Sequence, residues 1–220
     1  MRKINYIWYV LLAVFIPIAI TTLTLNIVLR LPETYVYHFN DSEIINELPT
    51  DLKGGDFADE ITSYLNSPKK GEFQVYEKNG KFKDAIFDKR DSRAMKNAKS
   101  SLFKISMVSV TSIIVSIACY WYLKKKNMKK ILRISGYIWT GITGIYIIIL
   151  QILLRNKTIR IGIYNKLISV NLTKGSSLLL ILGPPFYKTV LIFFTLTTIL
   201  ITAIIFYFNF KFAKEERLFS

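Results

Sequence analysis

"SLFKISMVSVTSIIVSIACYWYLKKK", residues 101–126, decides the fold, because its first part is one uninterrupted apolar run. A helix needs about 20 mostly apolar residues to cross the hydrocarbon core of a bilayer, and residues 101–123 meet that length. The run contains no acidic residue, and Lys104 lies near its start, where a lysine side chain can reach the interface. Residues 101–123 are therefore predicted to form a transmembrane helix.

Three other runs have the same character: residues 4–29, 131–154 and 189–210. Each is long enough to cross a membrane and contains no acidic residue. The first is longer than the roughly 7–15 apolar residues of a signal-peptide core and lacks a clear cleavage site, so we expect it to remain as an anchor. The chain is therefore predicted to be an integral membrane protein, mainly α, with four transmembrane helices.

The net charge of +15 comes from basic residues beside these runs. Five lysines and one arginine lie in the joint at residues 124–133, and such density favours the cytoplasmic side. Both termini are then predicted to be cytoplasmic, and the cap to be extracellular. Membrane lipids are the expected partners of these residues. Nucleic acid is not an expected partner, because no soluble domain carries a basic face.

These assignments divide the chain into four spans and the segments that join them. The first outer segment is expected to be a small extracellular α+β cap, and the chain ends in a cytoplasmic tail. The predicted order is span 4–29, cap 30–100, span 101–123, cytoplasmic loop 124–130, span 131–154, second outer segment 155–188, span 189–210 and tail 211–220.

The predicted cap contains signals for strands and for helices. "YVYHFN" at residues 35–40 alternates weakly, as a short strand does. "FQVYEKNGKFKDAIF" at residues 73–87 predicts a hairpin, because Asn79-Gly80 is the dipeptide that a type I′ turn prefers. "GDFADEITSYLN" at residues 55–66 predicts a helix with one apolar face. The residues on that face are Phe57, Ile61, Tyr64 and Leu65.

The second outer segment contains "LLLILGPPFY", residues 178–187. Its apolar part is too short to span a membrane, so it lies in the interface or lines a groove. The Gly-Pro-Pro sequence forces a bend, beside which Phe186 and Tyr187 form either a wall for a lipid or an aromatic anchor. Because a cap of this size needs a partner to be stable, we expect the bend to meet the cap and enclose a groove.

One histidine and one cysteine exclude a metal cluster built from several such residues, and no cofactor is predicted. His38 is most simply interpreted as a solvated or interfacial polar residue, and the alternative is a proton-transfer role. Residues 91–100 read as a helix continuous with the second span. On that helix Asp91, Ala94 and Asn97 share one face.

Two basic residues flank this face and could hold an anionic or carbonyl oxygen: Arg90 and Lys99. The alternative is an ordinary amphipathic entry into a transmembrane helix, with its charges solvated.

The stretch "FDKRDSRAMKNAKSSLF", residues 87–103, resembles the lipoprotein intramolecular transacylases of Gram-positive bacteria, which have four spans and an extracellular cap. Asp91 stands for the family's glutamate and Asn97 for its aspartate. Ala94 stands where the family has a catalytic histidine. With one extra residue before Leu102, the matching residues are Phe87, Arg90, Met95, Lys99, Leu102 and Phe103.

A second family histidine would fall near Arg160 or Ile161, and the end of "LLLILGPPFY" resembles the family's entry into its last span. The resemblance implies transfer of an acyl chain from the glyceryl sn-2 oxygen of a lipoprotein to its N-terminal cysteine amine. Without the two histidines it implies an impaired relative.

The expected ligand is a lipid or a diacylated lipoprotein at the cap–membrane interface. The catalytic candidates are His38 and Asp91. The binding candidates are Arg90, Asn97, Lys99, Phe186 and Tyr187. The alternative is a small four-span accessory, immunity or transporter-partner protein whose cap binds a peptide.

Overall fold

Helices make up most of the described part of the chain. The computed structural model describes residues 2–42, 44, 53–68, 71–75, 85–168, 176–183 and 185–213. The helices are α1 Arg2–Arg30, α2 Pro32–Ser42, α3 Gly54–Asn66, α4 Lys89–Lys125, α5 Lys129–Arg155, α6 Lys157–Ile168, α7 Ser177–Leu182 and α8 Phe186–Ala213.

Four of these helices, α1, α4, α5 and α8, are long and apolar enough to cross a membrane. They contain the four apolar runs, so the prediction of four membrane helices is confirmed. Helix α4 has 37 residues and is about 55 Å long at 1.5 Å per residue, well beyond the roughly 30 Å of a hydrocarbon core. Its first turns are polar and precede the apolar run. They belong to the second of the two compact units described below, and residues from Ile105 onward belong to the first.

The first compact unit, called the membrane unit here, consists of Met1–Leu25, Ile105–Ile152 and Thr195–Ser220. In this unit the side-chain amide of Asn209 on α8 donates a hydrogen bond of 3.2 Å to the Leu132 carbonyl on α5. A Cβ at Gly136 would collide with the Asn209 Nδ2 atom. Because Gly136 has no side chain, the Asn209 amide packs directly against its backbone, and small residues allow such close packing between membrane helices.

The second compact unit, called the cap unit here, consists of Asn26–Lys104 and Leu153–Phe194. One apolar core joins α2, α3, the start of α4, α7 and the start of α8. The predicted apolar face of α3 lies entirely in this core, which confirms that helix and its orientation. Its residues Phe57, Ile61, Tyr64 and Leu65 are all buried.

The strand predicted at residues 35–40 is wrong, because these residues form part of α2. The alternating aromatics are not on one side: Tyr35 and Phe39 are buried, but Tyr37 is 48% exposed. Two side chains also bond α2 to the end of α1: Thr34 Oγ1 donates to the Val28 carbonyl at 2.9 Å and Tyr35 Oη to the Leu29 carbonyl at 2.8 Å. These bonds satisfy carbonyls that the end of α1 leaves without helical partners.

The predicted hairpin lies partly outside the described residues, including its Asn79-Gly80 turn. Among the described residues of its two arms, the Ile86 N–H donates a backbone hydrogen bond to the Val75 carbonyl at 3.0 Å. Within the residues that the structure describes there is no strand. The hairpin therefore stays a prediction, and the α+β description of the cap is reduced to a helical one where the structure can be described.

The second outer segment forms two helices, α6 and α7. Leu178 and Ile181 of α7 are buried in the cap core, so this apolar segment packs on the cap as expected. At the end of α7, a Cβ at Gly183 would collide with the Leu179 carbonyl oxygen. Glycine therefore allows the chain to turn closely against its own helix before α8.

Candidate functional site

Helix α7 lies at the centre of the candidate site because both catalytic candidates bond to it. It has only six residues, so the N–H groups of its first turn and the carbonyls of its last turn need partners outside the helix. Its first partner is local: the Ser176 Oγ atom accepts a hydrogen bond from the Leu179 N–H at 3.1 Å. Ser176 is thus an ordinary N-cap residue.

Asp91 binds the beginning of α7. Its Oδ1 atom accepts a hydrogen bond from the Ser176 Oγ atom at 2.5 Å, and its carboxylate also accepts the Leu178 N–H. Asp88 fixes Asp91 from the other side, because the Asp88 Oδ1 atom accepts the Asp91 N–H at 2.7 Å. The carboxylate therefore joins the first turn of α4 to the first turn of α7, across 85 residues of sequence.

Burial raises the pKa of the Asp91 carboxyl, and the nearby Asp88 carboxyl adds to the rise. The hydrogen bonds from Ser176 and from the backbone act in the opposite direction. Asp91 is 2% exposed and lies in the polar part of α4, ten residues before the apolar run. Desolvation of a carboxylate is thus the larger effect, which favours the protonated form.

His38 binds the other end of α7. Its Nε2 atom is 2.9 Å from the Ile181 carbonyl oxygen, and the side chain is 2% exposed. A carbonyl can only accept, so Nε2 carries the proton in this hydrogen bond. The edge of the ring meets Phe186, with centroids 5.2 Å apart. The burial of His38 shows that it is not a solvated residue, and its interfacial position and its proton-transfer role stay predictions.

Ala94, one turn after Asp91, is fully buried in the cap core. The same core contains Leu178, Ile181 and Phe186, so the bend does meet this face of α4. A larger polar side chain at position 94 would enter an apolar, filled region.

The binding candidates do not form one cluster of charges. Arg90 is exposed and Asn97 is half-buried. The Lys99 ammonium lies 4.4 Å from the centroid of the Tyr64 ring. The Tyr187 ring is covered by the guanidinium of Arg160, at 4.1 Å.

Phe186 lies in the cap core, stacked on Tyr35 with centroids 5.1 Å apart. The sequence analysis missed Ser176 and Tyr35. Ser176 was detectable, since a serine directly before an apolar run is a helix-start signal. Among the described residues, no three His, Cys, Asp or Glu side chains come together as metal ligands.

The fold is similar to that of solved membrane-integral lipoprotein intramolecular transacylases from Bacillus cereus. One such structure has a TM-score of 0.70 at 18% identity and covers 96% of this chain and 98% of that chain. A histidine-to-alanine variant has a TM-score of 0.72 at 16% identity, covering 96% and 94%. A histidine-to-arginine variant has a TM-score of 0.67 at 16% identity, covering 96% and 93%. At these identities the likeness shows the fold.

Sequence comparison supplies the family. No curated protein sequence matches this chain at a significant level. The sequence profile of the family described as "Lipoprotein intramolecular transacylase Lit" matches residues 10–158, which is more than half of the chain. The protein therefore belongs to the lipoprotein intramolecular transacylase family.

Proposed function

We propose that this protein binds lipid or diacylated lipoprotein at its cap, and that it transfers acyl chains poorly or not at all. One observation carries the proposal: Ala94, which stands at the family's histidine position, is a fully buried alanine in an apolar core. Nothing at that position can accept or donate a proton. Family membership and the four membrane helices support the architecture in which a lipoprotein would be met.

The family reaction needs two proton transfers. The cysteine amine loses a proton as its bond to the acyl carbon forms, and the sn-2 oxygen gains a proton as its bond to that carbon breaks. A positioned acid or base contributes about 10²–10⁴-fold at such a step, and histidine is the commonest choice. Arg160, near the second histidine position, has a guanidinium group that only donates hydrogen bonds and cannot do the work of a histidine.

The two residual candidates are already engaged. His38 is the only histidine in the chain, and its Nε2 proton is directed at the Ile181 carbonyl. The raised pKa of Asp91 moves the carboxyl toward the range of a proton shuttle, but its oxygens accept bonds from Ser176 and Leu178. These bonds hold both side chains against α7, so a proton transfer would have to use the other ring nitrogen of His38 or a further lone pair of the Asp91 carboxyl.

The membrane orientation belongs to the same proposal, with both termini cytoplasmic and the cap extracellular. The lysine-rich joint between α4 and α5 supports it. Cysteine introduced at the exposed position Asp59 of α3 should react with an impermeant maleimide in intact cells, whereas cysteine at Asn127 should not. The native Cys119 is buried and provides little background. The opposite labelling pattern would reverse the orientation.

The activity test is mass spectrometry of lipoprotein N-termini from a strain that lacks N-acylation. The strain carries an empty vector, this protein or the Bacillus cereus transacylase. We expect N-acylated lyso-lipoprotein at a level at least about a hundredfold below that of the Bacillus cereus enzyme. Product at an equal level would contradict the proposed impairment.

Variants locate any remaining activity. Ala94→His alone should restore little, and Ala94→His with Arg160→His should restore more, provided that the cap stays folded with the larger side chain. If the unchanged protein is active and His38→Ala abolishes the product, His38 is the catalyst and the impairment proposal is wrong. If activity survives that change, Asp91→Asn tests the carboxyl.

Binding is tested with matched peptides. A diacylated lipopeptide and the same peptide without acyl chains are presented to the purified full chain in detergent. We expect only the lipopeptide to bind, and a change at Tyr187 on the cap to weaken it. Equal binding of both peptides would favour a peptide-binding accessory protein.

A further inference from the structure

The membrane unit contains a pocket that the cap chemistry does not use. It has a volume of about 400 Å³, within the range of about 300–1,000 Å³ typical of small-ligand sites. One wall is α1, with Ile16, Ala19 and Leu23, and the other is α4. The lining is aliphatic and aromatic, which fits a hydrocarbon chain.

The α4 wall is polar in a regular order. Ser116, Tyr120 and Lys124 line the pocket at i, i+4 and i+8, so they form one stripe with about 6 Å between successive members along the axis. The hydroxyl oxygens of Ser116 and Tyr120 are buried and have no hydrogen-bond partner among the described residues. A buried hydroxyl without a partner costs about 1–3 kcal/mol, so both groups would gain a bond from a ligand that enters deeply enough to reach them.

Lys124 gives the pocket a charged end. Lys124 is part of the lining, and its ammonium lies 4.9 Å from the centroid of the Phe212 ring. It also begins the lysine-rich joint of residues 124–130, so the surrounding potential is positive. A positive potential attracts an anionic group to this end of the pocket and repels a cation.

We propose that this pocket binds one anionic phospholipid from the leaflet beside the lysine-rich joint. The acyl chain lies against Ala19 and Leu23, the ester oxygens meet the hydroxyls of Tyr120 and Ser116, and the phosphate meets Lys124. The apolar part, the esters and the phosphate follow each other in a phospholipid in the same order as the lining does along α4. A peptide would not match this order, and an uncharged lipid would leave Lys124 without its counterion.

The test uses the purified full chain in detergent micelles, stripped of lipid, with native mass spectrometry as the readout. The probes are phosphatidylglycerol, phosphatidylcholine with the same acyl chains, and glycerol phosphate. We expect phosphatidylglycerol to bind about fivefold more tightly than phosphatidylcholine, corresponding to one lysine–lipid contact. Glycerol phosphate should not bind, because it lacks the chain. Equal binding of the two lipids, or binding of glycerol phosphate alone, would overturn the proposal.

Matched variants locate the site. Lys124→Ala should lower the affinity for phosphatidylglycerol to that for phosphatidylcholine, while Lys126→Ala, with the same charge change two residues away, should not. Ala19→Phe should remove binding of both lipids by filling the pocket, while Val14→Phe on the exposed side of α1 should not. Equal effects of the two lysine variants, or unchanged binding in Ala19→Phe, would contradict the assigned pocket.

Folding is checked in the same samples through the buried Cys119, which a thiol reagent reaches only if the membrane unit opens. If Ala19→Phe exposes it, Leu23→Phe at the other end of the lining takes its place. Lipid binding that persists in a folded Leu23→Phe variant would then overturn the proposal.

Discussion

One pair of buried polar side chains in the cap unit and one pair in the membrane unit differ in their hydrogen-bond partners. In the cap, Asp91 and His38 bond to the two ends of α7, and both are 2% exposed. In the membrane unit, the hydroxyls of Ser116 and Tyr120 are buried with no hydrogen-bond partner in the described part of the chain. The hydrogen bonds of the first pair offset part of the desolvation of its polar atoms, and the second pair has no such bonds among the described residues.

The difference follows from helix length. A six-residue helix satisfies few of its own backbone groups, so α7 depends on side chains from α2 and α4. A long membrane helix satisfies its backbone internally and does not need side chains of other helices for that purpose. His38 and Asp91 thus hold structure in this protein, whereas buried side-chain atoms without a partner occur in both units of the described chain, Tyr64 Oη in the cap among them.

The largest effect is expected from Asp91→Ala. This change removes an acceptor from the Ser176 hydroxyl and the Leu178 N–H, and bonds to a charged group contribute about 1.5–3 kcal/mol each. After allowance for the relieved desolvation of the carboxylate, we expect the opening free energy of α7 to fall by about 2–3 kcal/mol. Hydrogen exchange of the α7 amides measures it.

Two control variants should have smaller effects than Asp91→Ala. Asp91→Asn keeps one acceptor oxygen and should lose less, and Asp59→Ala, an exposed carboxyl on α3, should lose almost nothing. Protection of α7 that is unchanged in Asp91→Ala would show that the bonds to Ser176 and Leu178 are dispensable. The comparison between the two units would then fail.

A smaller loss is expected from His38→Ala. The variant loses one neutral hydrogen bond to the Ile181 carbonyl and the ring contact with Phe186, so we expect a loss of about 1–2 kcal/mol. Exchange should increase most at the end of α7. Asn40→Ala, at an exposed position of the same helix, is the control. Equal effects of the two changes would mean that the Ile181 bond adds nothing.

The pH dependence of α7 should follow the Asp91 carboxyl. Its pKa in the folded protein is raised above the ordinary 3.8, mainly by burial, so the folded state keeps a proton that the unfolded chain has lost. The contribution is complete below 3.8 and falls as pH rises through the raised value. Hydrogen exchange rates of the α7 amides, corrected for the pH dependence of exchange in an unfolded chain, should therefore show a smaller opening free energy of α7 at neutral pH than in acid. Asp91→Asn should remove this dependence, and a dependence that persists in it would assign the effect to another group.

The helices that the sequence predicts correctly are those whose hydropathy pattern reflects a single environment, either the lipid or one apolar core. The four apolar runs and the face of α3 follow from hydropathy and period alone. The strand predicted at residues 35–40 failed because tertiary bonds from Thr34 and Tyr35 to the end of α1 favour a helix over a weak alternation. Local pattern contains no information on those partners.

The sequence identifies several residues of the candidate site but not the hydrogen bonds that join them. The family stretch identified Asp91 and Ala94, whereas Ser176 was missed although a serine before an apolar run is a helix-start signal. The bond between Asp91 and Ser176 spans 85 positions, and the His38–Ile181 contact spans 143. Such contacts depend on the packed core, which a single sequence does not specify at the level of atoms.

The smallest effect on stability is expected from changes at Ser116 and Tyr120 in the membrane unit. These changes contrast most clearly with those at Asp91 and His38 in the cap unit. Tyr120→Phe and Ser116→Ala remove hydroxyls that have no partner in the described residues, so neither should destabilise the membrane unit and Tyr120→Phe should raise its stability slightly. Thermal exposure of the buried Cys119 to a thiol reagent, in lipid-free detergent, measures this. Added phosphatidylglycerol should then protect the unchanged protein more than either variant, because only the unchanged protein offers both hydroxyls to the ester oxygens. A clear loss of stability without lipid would show that these hydroxyls already have partners, and the contrast between the two units would disappear.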